Sequence, residues 1–91
     1  MIRPESIISV KEGVSTVEVD GELAMMDTEK GKYYGFDSIA TRIWNIIQEP
    51  KPFGVIVEVL SQEYDVSRQQ CEEDVKEFLE RLNEEGLVYI S

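Results

Sequence analysis

Lys32-Tyr33-Tyr34-Gly35-Phe36-Asp37, running into Ser38-Ile39-Ala40-Thr41-Arg42-Ile43-Trp44-Asn45-Ile46-Ile47, decides how this chain folds. The hydrophobic period changes at Asp37. Upstream, two tyrosines and a phenylalanine crowd a short β-prone run. Downstream, apolar residues fall at 39, 40, 43, 44, 46 and 47, the spacing of one helix face. Asp37 stands where an N-cap belongs, its carboxylate able to accept from backbone N–H groups that a first helical turn leaves without partners. The reading is an aromatic strand over 32–36 that feeds directly into a helix over 37–48.

Upstream of this junction lie two β-rich runs, 6–10 and 14–19. Val17 and Val19 alternate with Thr16 and Glu18, the period-2 pattern of a half-buried strand. Asp20-Gly21 is a strong turn signal. Residues 23–27 read as a further strand, Thr28-Glu29-Lys30-Gly31 as a second turn, and 23–36 therefore as a hairpin. Met25 and Met26 read as core filling, with adaptable pocket lining as the alternative. The expected sheet is antiparallel, with three to four short strands.

Downstream, Glu49-Pro50-Lys51-Pro52 ends the first helix, because proline cannot continue the backbone ladder. A second helix is predicted over 53–64, with Phe53, Ile56, Val57, Val59, Leu60 and Tyr64 on its apolar face. Ser67-Arg68-Gln69-Gln70 has the form of a capping box. It opens a third helix over 68–85, whose apolar stripe is Cys71, Val75, Phe78, Leu79 and Leu82. Gly86 is a natural stop, and 87–90 is a β-prone piece expected to pack back on the core. Strands followed by three helices make an α+β domain. Its outline is winged helix-turn-helix-like, with a small N-terminal antiparallel sheet, and it spans 1–91 as one domain.

Ninety-one residues, 42% of them apolar, suffice for a single modest core. No apolar run approaches the roughly 18–20 residues that span a bilayer. The N-terminus lacks the layout of a secretory signal, and one cysteine cannot form an internal disulfide, so a reducing cytoplasm is expected. The net charge is −10, from 19 acidic and 9 basic residues. It opposes binding to nucleic acid and to anionic membranes, and its plainest reading is solubility. The third helix would be the DNA-reading helix of this outline. It carries three basic residues, Arg68, Lys76 and Arg81, against seven acidic ones over 68–85.

Catalytic patterns are missing. There is no histidine, so no Ser-His-Asp or Cys-His arrangement exists. One cysteine and no histidine make a poor zinc set, and no glycine-rich phosphate cradle occurs. Glu72-Glu73-Asp74, with Glu77 and Glu80 further along, reads as a solvated helix face braced by Glu72–Lys76 and Glu77–Arg81 pairs. Cys71 reads as a small core residue. No catalytic residue, metal ligand or cofactor is expected.

Tyr33-Tyr34-Gly35-Phe36-Asp37, then Ile43-Trp44 with Ile46-Ile47, then the 71–82 helix ending in Glu85-Gly86-Leu87-Val88, resembles a PqqD-like domain, also called a RiPP precursor recognition element. The likeness runs from about residue 5 to 90. The size and the Tyr-Tyr-Gly-Phe-Asp run look most like the stand-alone recognition proteins of lasso-peptide biosynthesis. Such a domain is non-enzymatic. It binds the leader of a ribosomally made precursor peptide as an added strand, here between strand 32–36 and helix 68–85. It then presents the peptide to a leader peptidase, in a pathway that also includes a cyclase.

The residues permit that mechanism. An open strand edge offers N–H and C=O groups that an extended peptide satisfies. The peptide-binding candidates on the strand are Lys32, Tyr33, Tyr34, Gly35 and Phe36, with Gly35 allowing close backbone approach. Facing them on the helix are Cys71, Val75 and Phe78, with Asp74 and Glu77 at the rim to attract basic leader residues. Ile43, Trp44 and Leu79 are core, and Val75 has core character too. Alternation sends Tyr33 and Tyr34 to opposite faces, and the sequence leaves open which one meets the peptide. The alternatives are a PqqD-type chaperone serving a radical-SAM enzyme and, from another class, a winged-helix nucleic-acid binder.

Overall fold

The computed structural model describes residues 2–27 and 30–91. Strands β2 (Val14–Val19), β3 (Glu22–Asp27) and β4 (Lys32–Gly35) form one antiparallel sheet in that spatial order. Asp20 and Gly21 both take positive φ, 52° and 81°, as a two-residue type I′ hairpin turn requires. In the second turn, Thr28 and Glu29 lie outside the described residues. Gly31, with φ of 66°, delivers the chain to β4 and donates its N–H to the Asp27 carbonyl at 2.8 Å.

The run 6–10 leaves this sheet. As β1 (Ile7–Val10) it is the middle strand of a second antiparallel sheet, between β5 (Lys51–Pro52) and β6 (Val88–Ile90). Ile8 pairs with Ile90, Ser9 with Tyr89 and Val10 with Val88. Burial explains the choice: Ile8 is wholly buried, and Leu87 and Val88 close over the same core. The proline segment that stops the first helix is therefore also a short edge strand, the place in a sheet where a proline is tolerated.

Three helices follow: α1 (Ser38–Ile46), α2 (Phe53–Glu63) and α3 (Arg68–Glu84). Asp37 caps α1, its Oδ1 accepting the Ala40 N–H at 2.8 Å. Ser67 caps α3 by accepting the Gln70 N–H at 3.1 Å. The Gln70 side chain donates to Asp74 instead of reaching back, so only half of the capping box is made. Gly86, with φ of 76°, ends the third helical stretch, and the Leu87 N–H returns to the Leu82 carbonyl.

The core gathers Leu23 and Met25 from β3, Ile43 and Trp44 from α1, Phe53 and Leu60 from α2, and Val75 and Leu79 from α3. Met26 departs from its expected core role and stands exposed, because successive side chains on a strand point to opposite faces. Thr41, also buried, accepts the Leu23 N–H on its Oγ1 at 2.9 Å. That bond takes over from the ladder where β4 has ended and α1 begun. Among the described residues no helix is long and apolar enough to cross a membrane.

Candidate functional site

β4 is an edge strand. Phe36 donates its N–H to the Leu23 carbonyl at 2.8 Å, which fixes the phase of the ladder. In the observed register Tyr34 lies opposite Met25 and Lys32 opposite Asp27, so these residues also turn their backbone groups toward β3. Tyr33 and Gly35 consequently direct N–H and C=O outward, along the open edge.

α3 lies across from that edge. The gap holds two adjoining depressions. One, about 440 Å3, lies between β4 and the C-terminal half of α3 and is walled by Tyr34, Phe36, Phe78, Arg81, Leu82 and Glu85. The other, about 260 Å3, lies between α1 and α3 and is lined by Ile39, Ala40, Ile43, Val75 and Phe78, with Asp37 and Asp74 beside them. Phe78, Ala40 and Asp37 belong to both.

Side chains bridge the gap at the Lys32 end. Tyr34 donates its hydroxyl to Glu85 Oε2 at 2.6 Å, Lys32 Nζ donates to the same oxygen at 3.3 Å, and Lys30 Nζ donates to the Glu85 carbonyl at 2.5 Å. The Tyr34 pKa is pushed up to about 12, first because its proton is engaged by the Glu85 carboxylate and then by burial. Glu85 is held below the usual carboxylate range by the Tyr34 bond first and by Lys32 next. At neutral pH Tyr34 is thus a fixed donor and Glu85 a fixed anion. Deeper in, Phe36 is packed edge-on between two rings, with centroids 5.8 Å from Trp44 and 5.4 Å from Phe78.

The sequence-chosen residues separate clearly. Tyr33, Tyr34, Gly35, Phe36 and Phe78 all line the larger depression, and Val75, Asp74 and Phe78 the smaller one. Tyr34 is the tyrosine on the α3 side, and Tyr33 stands exposed on the opposite face of the sheet. Gly35 contributes edge backbone. A Cβ at Gly35 would meet nothing within 4 Å, so the fold itself does not demand glycine there. Lys32 joins the Glu85 bridge. Glu77 stays outside both depressions, 3.5 Å from Arg81. Cys71 does not join this group: it faces α2, its Sγ 3.8 Å from the Val57 carbonyl. Burial first, and Asp74 second, push its thiol pKa up, which suits a core residue.

Sequence reasoning missed Ile39, Ala40, Arg81, Leu82 and Glu85. Three of these were within reach. From Phe78, positions 81, 82 and 85 continue the same helix stripe at i+3, i+4 and i+7. Among the described residues no group of three or more His, Cys, Asp or Glu side chains is placed to hold a metal ion.

An edge strand set beside an amphipathic helix, in this order of elements, defines a PqqD-like fold. The family model described as coenzyme PQQ synthesis protein D (PqqD) matches residues 22–88, from β3 into β6, and the chain belongs to that family. Two solved structures share the fold. One is TbiB1 in complex with the TbiA(beta) leader peptide, 30% identical, with a TM-score of 0.82 over 88% of this chain and 93% of that one. The other is a lasso peptide synthetase B1 complexed with its leader peptide, 21% identical, with a TM-score of 0.81 over 90% of this chain and 96% of that one. No curated protein sequence matches this chain.

Proposed function

We infer that this chain is a non-catalytic adaptor of lasso-peptide biosynthesis. It binds the leader of a ribosomally made precursor by strand addition to β4, in the cleft facing α3, and presents it to a leader peptidase. The observation that carries the reading is the phase of β4. Tyr33 and Gly35 aim their backbone groups outward, beside a groove with apolar walls. Main-chain bonds to such an edge supply affinity with little sequence demand, and side-chain depressions supply selectivity. Two structural relatives that carry leader peptides support it.

In this arrangement the guest's alternate side chains enter the larger depression beside Phe36 and Phe78, and the Tyr34–Glu85 bridge bounds the groove at its Lys32 end. The chain's net charge of −10 favours a leader with basic residues and disfavours nucleic acid. Titration calorimetry with the leader encoded alongside this chain tests the reading. A 1:1 complex of micromolar or tighter affinity is expected. Absence of heat, together with unchanged amide signals over 32–36, contradicts it. The PqqD family match keeps one second reading in view, delivery of the peptide to a radical-SAM enzyme instead of a peptidase. Pull-down with each enzyme in the presence of leader separates the two.

A further inference from the structure

The face of the β2–β3–β4 sheet turned away from the core is apolar. Cross-strand register sets Val17, Ala24 and Gly35 in one row, Ser15, Met26 and Tyr33 in the next, and Val19 beside Glu22. Val17 is 62% exposed, Val19 59%, Met26 49% and Tyr33 69%. Single exposed apolar residues are ordinary, but a contiguous group on one face marks an interaction surface. Within it lies a depression of about 540 Å3. Val19, Ala24, Tyr33 and Gly35 line it, together with the acidic residues Asp20, Glu22 and Asp37.

The geometry points to this face as the docking surface for the enzyme that processes the bound leader, through an apolar patch bearing an arginine or lysine that enters the depression. The inference rests on the leader-binding reading above. Charge selects the occupant. Three acidic residues, Asp20, Glu22 and Asp37, line the depression. A second copy of a chain with net charge −10 would set these groups against themselves across a two-fold axis. A basic partner would meet them favourably, and the Tyr33 ring offers a face to its cation. Position supports the same occupant. Tyr33 also lines the β4–α3 depression, so the outer face is continuous with the cleft. A strand added to β4 would widen this same sheet, and an enzyme seated on the face would sit beside its substrate.

The test uses two variants whose changed side chains lie outside the leader cleft, the double variant V17T/M26Q and the single variant E22K. Two titrations are run on the parent and on each variant: leader peptide into protein, then pathway peptidase into the leader-bound protein. Leader affinity is expected to stay within about twofold of the parent. Peptidase affinity is expected to fall roughly tenfold or more in both variants, and E22K also flattens the salt dependence of association. Peptidase binding equal to the parent's in both variants overturns the inference. So does a parent dimer that V17T/M26Q converts to monomer, which would seat a second copy on this face. A parent that fails to bind leader overturns the adaptor reading itself, and the first titration reads that failure separately.

Discussion

The hydroxyl of Thr41 and the N–H of Leu23 meet at 2.9 Å, away from water, where strand pairing gives way to helix. Replacing Thr41 by Val keeps the shape and strands the N–H. A buried donor left unpaired costs about 1–3 kcal/mol, so T41V is expected to lower stability by that amount in urea unfolding. Tyr34 gives a pH signature. Its raised pKa means that the stability from the Glu85 bond is whole below the ordinary tyrosine value of 10.0 and is lost as pH rises through about 12. Glu85 has the opposite sign: its contribution is present above the ordinary carboxylate range and fades as pH falls through its lowered value. In an ultraviolet titration Tyr34 is expected to ionise well above 10, and Glu85→Gln to bring it back toward 10. At this scale the sequence was partly legible. Asp37 and Ser67 announced themselves because caps are local. Thr41 and Glu85 did not, since their partners lie 18 and 51 positions away.

The elements of the site divide the work between backbone and side chains. β4 supplies hydrogen-bonding edge, and α3 supplies the wall. Phe78 is the α3 residue common to both depressions, and it packs on Phe36. Phe78→Ala should weaken leader binding by roughly tenfold or more, because a ring central to a desolvated contact carries much of its energy. Calorimetry on the folded variant reads this directly. The same substitution costs stability as well, about 1–3 kcal/mol for a half-buried ring, less than the 3–5 of a fully buried one. Helix periods and caps made α1, α2 and α3 legible to within two residues at each end. The sheet was less so. β1 reads as a strand in sequence, but its partners are β5 and β6, and such long-range pairing leaves no local trace. Met26 shows the same limit within one strand: two adjacent methionines cannot both face the core.

Across the whole molecule, the ends of the chain close the fold. β6 pairs with β1, and Leu87 and Val88 are buried. Removing residues 87–91 strips two buried side chains worth about 1.5–3 kcal/mol each and a strand of the β1 sheet. The truncated chain is expected to lose its cooperative thermal transition in circular dichroism. The central claim, strand addition at β4, is tested most directly by amide hydrogen exchange with and without the cognate leader. Tyr33 and Gly35 face outward and Tyr34 and Phe36 already face β3, so leader binding should newly protect the first pair and leave the second nearly unchanged. Protection appearing instead at Thr16 and Glu18, on the outward edge of β2, or no new protection at Tyr33 and Gly35, would contradict it.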